Sequence, residues 1–292
     1  MKNALDQARI DSVQCISPSG LHRMVYKEWG DVNNPNVILC VHGVTRVSDD
    51  FDDIARALAS HYRVICPDVV GRGRSDWLRN PLHYQLPQYV SDMITLLARI
   101  NVPTVDFLGT SMGGLIGIGL ASMPGNPLKK LILNDVGPVL NPEALARIGD
   151  YIGKEMRFAS EEEGAAYIRS ISLPFGPHTE EQWHKLSADV LRQDKDGMWI
   201  RHYDLGLARS IQAMTPEVAQ AGEAMLWAAY SAITSPTLLL RGKDSDLLSV
   251  ETAQRMARCG PCASIVEFDG VGHAPTLVQH DQIAAVRAFL MS

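Results

Sequence analysis

The chain has 292 residues, 46% of them hydrophobic and 21% charged, with 27 Lys and Arg against 33 Asp and Glu for a net charge of −6. A chain of this length buries a large core, and its composition excludes disordered and fibrous classes. The mild acidity, without any basic run, speaks against a nucleic-acid partner and against an anionic membrane surface.

Taken in chain order, Met1 to Arg9 holds no apolar stretch that would read as a secretory leader. Residues 11 to 30 alternate around Pro18-Ser19-Gly20 and predict a β-hairpin. Val37-Ile38-Leu39-Cys40-Val41 is continuously apolar, the signature of a strand buried on both faces of a parallel sheet. Helices follow at 50–60 and 88–100, with strands at 63–66 and 104–108, each recognised by its hydrophobic period. A helix over 115–122 and a strand over 130–134 continue the alternation. From about Pro138 to Ser231 it breaks into helical pieces with scattered aromatics and only one short candidate strand, near Trp199. It resumes with strands at 237–240 and 264–268 and helices at 250–258 and 281–291.

This order predicts an α/β fold with a mostly parallel sheet and helices on both faces. Residues 1–137 and 232–292 form the expected core, and 138–231 a helical cap inserted between two strands over the sheet's carboxyl edge, where open α/β sheets bind ligands. No apolar run approaches the roughly 20 residues needed to span a bilayer. Five cysteines, few and odd in number, fit a reducing compartment better than a disulfide scaffold. The expectation is a soluble, cytoplasmic protein.

The strongest chemical signal is Gly109-Thr110-Ser111-Met112-Gly113, between a strand and a helix. There a turn tight enough to require flanking glycines leaves the Ser111 hydroxyl projecting from the sheet, whereas a helix-capping serine is the plainer alternative. A serine hydroxyl needs a base to take its proton, and the base needs an orienting carboxylate. His273, in Gly270-Val271-Gly272-His273-Ala274-Pro275, supplies the base; the plainer reading is an exposed loop histidine. For the acid, Asp246 is preferred because it precedes the anchoring pair Leu247-Leu248, with Asp244 as the alternative. Asp135 is a third candidate, expected to hydrogen-bond a loop near the cap entrance.

The order Ser111, Asp246, His273, together with His42-Gly43, Pro67 to Ser75 and Gly270 to His273, resembles the α/β-hydrolase superfamily over essentially the whole chain. That resemblance implies an oxyanion hole made by the backbone N–H groups of Val44 and Met112. Members often carry their acid three residues after the strand-ending glycine, where this chain has Ser245. His42 to Arg46, Asp68 to Ser75 and Asn134 to Pro138 are similar to bacterial cytoplasmic esterases that include hydroxybutyrate-oligomer hydrolases.

The resulting expectation is a serine esterase that needs neither cofactor nor metal and acts on a small-molecule ester. Arg46, Trp183, Tyr203 and Trp227 are candidate pocket residues. Arg46 clamps a substrate carboxylate or, on base rates, pairs with Asp49 or Asp50; the aromatics are pocket walls or ordinary cap core. Carbon–carbon hydrolysis, lactone hydrolysis and slow-turnover ligand sensing use the same residues, while Ser111 excludes chemistry that needs a carboxylate nucleophile. Cys259-Gly260-Pro261-Cys262 follows a helix and precedes a strand, so it reads as a turn rather than a redox dithiol. His178 and His184 lack zinc-site spacing and read as loop or pocket-lining residues.

Overall fold

A computed structural model describes residues 7–212 and 216–292; most of the N-terminal segment read above as leaderless lies outside the described residues. Strands β1 (Arg9–Ser17) and β2 (Gly20–Trp29) form the expected hairpin, paired antiparallel from Arg9↔Glu28 to Ser17↔Gly20. Then come β3 (Val37–Val41), α1 (Asp52–Leu58), β4 (Arg63–Pro67), α2 (Leu86–Ile100), β5 (Val105–Thr110), α3 (Met112–Ala121) and β6 (Leu128–Asn134). Helix α3 begins directly after Ser111, three residues earlier than its apolar pattern suggests, because its first turn is built of glycines that carry no hydrophobic period.

After β6 the chain forms α4 (Pro142–Ile152), β7 (Arg157–Phe158), α5 (Glu161–Ser172), α6 (Glu180–Ala188), β8 (Leu191–Gln193), β9 (Trp199–Arg201), α7 (Ala208–Gln212) and α8 (Pro216–Ser231). The strand expected near Trp199 is β9, but it has two partners that were not foreseen: a small antiparallel sheet runs β7-β9-β8. Strands of two or three residues are too short to show a period of two. The alternation then resumes with β10 (Thr237–Gly242), α9 (Val250–Met256), β11 (Ser264–Phe268) and α10 (His280–Met291).

The main sheet has the order β1-β2-β4-β3-β5-β6-β10-β11, antiparallel at the β1-β2 and β2-β4 pairs and parallel from β4 onward. Alternate side chains enter two cores. Leu39, Phe107, Leu133 and Leu239 meet α2, α3, α8 and α9 through Met93, Ile116, Trp227 and Met256. Ile38, Leu108, Ile132 and Leu240 meet α1 and α10 through Ile54, Leu58, Val286 and Leu290. A separate cluster of Phe158, Ile168, Val190 and Leu191 holds the inserted region together. That region is tied to the core by backbone bonds from Gly73 N–H to the His202 carbonyl (2.9 Å) and from Gly272 N–H to the Pro174 carbonyl (2.7 Å). Among the described residues no helix is long and apolar enough to cross a membrane.

Candidate active site

The turn between β5 and α3 sets the position of Ser111. Its backbone is held at φ 53° and ψ −117°, a conformation L-residues avoid unless the surroundings impose it. The flanking glycines are what permit the packing: a Cβ on Gly109 would sit 2.3 Å from the Gly113 backbone, and one on Gly113 would sit 2.0 Å from the Val41 carbonyl oxygen. Ser111 is the N-cap of α3, yet its side chain caps nothing. Its Oγ lies 2.9 Å from His273 Nε2 instead.

The other side of the imidazole corrects the sequence reading. His273 Nδ1 is 2.7 Å from Asp135 Oδ2, and neither Asp246 nor Asp244 makes this bond. Asp246 is half exposed and paired with Arg147 at 2.6 Å on the surface; Asp244 is exposed. The physical reason is that the β10 loop offers no carboxylate there: position 245 is a serine and Asp246 turns outward to Arg147, so the residue leaving the neighbouring strand β6 supplies the carboxylate. Asp135 is fully buried at φ 57°. Its carboxylate also accepts from Gly242 N–H at 3.0 Å and from Ser245 Oγ–H at 2.6 Å. The serine at the position where related chains often carry their acid thus braces Asp135 rather than replacing it.

Val44 lines the cavity above Ser111, and Met112 opens α3. Among the described residues, neither Val44 N–H nor Met112 N–H has an intramolecular acceptor. The first turn of a helix has such orphan N–H groups by construction. The loop around Val44 is held by two buried side chains. His42 Nδ1–H donates to the Gly43 carbonyl at 2.7 Å while Nε2 accepts from Val69 N–H at 2.9 Å; burial pushes its pKa down to about 4 and keeps it neutral. Arg72 donates from Nε to the Val44 carbonyl (2.8 Å), and another of its nitrogens lies 3.2 Å from Met112 Sδ. Buried Asp68 fixes the neighbouring loop by accepting from the Ser48 and Arg74 N–H groups at 2.7 and 2.9 Å.

The cavity beneath the inserted region is lined by Ser111 and His273 from the core and by Ile148, Ile168, Ile171, Phe175, Leu186 and Val190 from the insertion. Of the four expected pocket residues, Arg46 and Tyr203 are there. Arg46 makes the pair with Asp50 anticipated for it, at 2.8 and 2.5 Å, but largely buried in the cavity wall rather than on the surface. Trp183 and Trp227 are not in the pocket. Trp183 packs on His178 with ring centroids 4.8 Å apart, and Trp227 lies in the main core under the Arg255 guanidinium. Arg147, Tyr151 and Arg201 line the cavity without having been singled out; polar residues in a region without clear periodicity give no signal of facing inward.

His178 bonds Thr276 Oγ1 at 2.7 Å and the Gly176 carbonyl at 2.9 Å, and burial lowers its pKa. His184 is exposed. Cys259 and Cys262 are free thiols on a turn closed by Cys262 N–H to the Cys259 carbonyl. The described residues bring one set of metal-capable atoms together, Cys15, His22 and Asp92. There the thiol is pushed up to about 12 by burial, and His22 Nε2 already bonds Asp92 at 3.0 Å, so the cluster reads as hydrogen-bonded core.

Residues 38–286 match the model of the alpha/beta hydrolase family, and the chain belongs to that family and is a hydrolase. It is 55% identical over 284 residues, 96% of this chain and 97% of the other, to a 3-hydroxybutyrate-oligomer hydrolase of Cupriavidus necator. A solved alpha/beta hydrolase from Novosphingobium aromaticivorans is 34% identical with a TM-score of 0.85, covering 98% of this chain and 99% of that one. A solved Rickettsia typhi protein is 32% identical with a TM-score of 0.88, covering 97% and 99%.

Proposed function

We propose that this hydrolase is a serine esterase whose substrates are short oligoesters of hydroxyalkanoic acids, cleaved through an acyl-enzyme. The observation that carries the reading is the unbroken hydrogen-bonded run Ser111–His273–Asp135 on the floor of a largely apolar cavity. Ser111 Oγ attacks the ester carbonyl as His273 Nε2 takes its proton, and Asp135 holds the imidazole in the tautomer that can accept it. The oxyanion that forms accepts from Val44 N–H and Met112 N–H. Collapse of the intermediate expels the alcohol, which receives the proton from His273, and leaves the acyl group on Ser111. Water, deprotonated by His273, then attacks that ester and releases the acid. The inserted region acts as the cap that shields this chemistry from solvent. The free thiols fit a cytoplasmic setting. The near relative named for hydroxybutyrate oligomers supports the substrate class.

The test is hydrolysis of nitrophenyl butyrate and of hydroxybutyrate dimer and trimer by the parent protein and three variants. Ser111→Ala is expected to abolish measurable turnover, and Asp135→Asn to lower kcat about 10³- to 10⁴-fold by favouring the wrong tautomer. Asp246→Asn removes only an exposed ion pair and should change kcat by no more than about fivefold. Turnover surviving in Ser111→Ala sinks the serine mechanism; a deep loss in Asp246→Asn with activity kept in Asp135→Asn sinks the choice of acid.

A further inference from the structure

Three guanidinium groups line the cavity, those of Arg46, Arg147 and Arg201, and all three lie close enough to Tyr151 for their charge to act on its phenol. Two already have a carboxylate: Arg46 holds Asp50, and Arg147 holds Asp246. Arg201, in β9, is 4% exposed and has no carboxylate at ion-pair distance among the described residues. Its terminal nitrogens donate to the carbonyls of Tyr151 and Lys154 at the end of α4, and its Nε is buried with no acceptor among the described residues. Tyr203, 3% exposed, lies beneath the same guanidinium at 5.0 Å, and its hydroxyl is also buried with no partner among the described residues. A buried cation without a neighbouring anion, beside two donors without acceptors, is unfavourable. Local rules are broken in this way where a ligand supplies what is missing.

We propose that Arg201 and Tyr203 form a subsite for the free carboxylate of the substrate. A carboxylate accepts only, bears the opposite charge and offers two oxygens in a plane, which suits a guanidinium N–H together with a phenol O–H. This rests on the ester-hydrolase reading for the kind of molecule that brings the carboxylate. An oligoester of a hydroxy acid has one carboxylate, at the end opposite its free hydroxyl. Holding that end fixes which ester bond reaches Ser111, so cleavage is counted from the carboxyl terminus and short oligomers are favoured over polymer interior. Arg46, singled out from sequence for this task, is spent on Asp50.

The experiment uses full-length Ser111→Ala protein, which holds ligand without consuming it, titrated calorimetrically with hydroxybutyrate dimer and with its neutral methyl ester. The acid is expected to bind about tenfold or more tightly than the methyl ester, as hydrogen bonds to a charged group would give. Adding Arg201→Met should erase most of that difference. Because Arg201 also ties down the end of α4, Tyr203→Phe, which removes one oxygen, repeats the test without touching that tie and should shrink the difference severalfold. Equal binding of acid and methyl ester, or an equal loss of both in the two variants, overturns the subsite and leaves Arg201 as a tie for α4. Turnover of neutral nitrophenyl butyrate by the parent protein is measured alongside. Its absence overturns the esterase reading, while the difference in binding still decides the subsite.

Discussion

Asp135, Asp244 and Asp246 all follow strands of one sheet, and nothing in their immediate neighbours ranks them correctly. Leu247-Leu248 does anchor the turn after β10, as its apolar character implies, but that anchoring leaves the Asp246 side chain facing Arg147 and solvent. The informative residue is Ser245. It stands where an acid is common in related chains, and its hydroxyl needs a partner, which Asp135 provides. Arg72 carries a prediction at the same scale. It is buried, donates to the Val44 carbonyl and lies beside the Met112 side chain, and so braces the two residues whose N–H groups we propose as oxyanion donors. Arg72→Met is expected to lower kcat about tenfold to a hundredfold with little change in KM, less than the loss from removing an oxyanion donor outright. Steady-state kinetics check it; a rise in KM with kcat unchanged would assign Arg72 to substrate binding instead.

At the scale of elements, the β5–α3 turn is the part of the site most fully written in the sequence, because its geometry leaves no room for anything larger than glycine at 109 and 113. Gly113→Ala would press a methyl group against the Val41 carbonyl oxygen. It is therefore expected to cost at least about 1–3 kcal/mol of stability, as overpacking does, and to displace Ser111 and so reduce turnover. Denaturant melts and kinetics on the same preparation measure both; an unchanged midpoint would mean that the turn relaxes without strain. The inserted region behaves in the opposite way. Its strands β7, β8 and β9 have two or three residues each, too few for a period, and their pairing is fixed by contacts with α5 and α6 rather than by local pattern. Arg201 faces the cavity because it sits on that small sheet.

For the whole molecule, the layered core follows from the two alternating sets of side chains on each parallel strand, and this is why strands and helices outside the insertion are readable to within a few residues. Burial also sets the response to acid. His42, His178 and His202 have pKa values lowered by burial, His42 to about 4. Below the unfolded histidine value of about 6.5 the unfolded chain binds protons that the native state refuses, so stability falls as pH drops toward 4 and is regained above about 6.5. Unfolding midpoints across pH 4 to 8 should show that slope, and His42→Gln should flatten it. A slope unchanged in that variant would remove His42 as its source.

By itself the sequence determined the order of strands and helices along the chain outside the insertion, the Gly-rich turn that carries Ser111 and the loop that carries His273, because each depends on neighbours close along the chain. It also placed Tyr203 and Arg46 among pocket residues. The tertiary structure alone decided that Asp135 rather than Asp246 meets the imidazole, that Trp183 and Trp227 are core, and that Arg201 stands in the cavity without a counter-charge among the described residues. These depend on which strands are adjacent and on which residues distant in sequence share a buried space, and chain order carries neither.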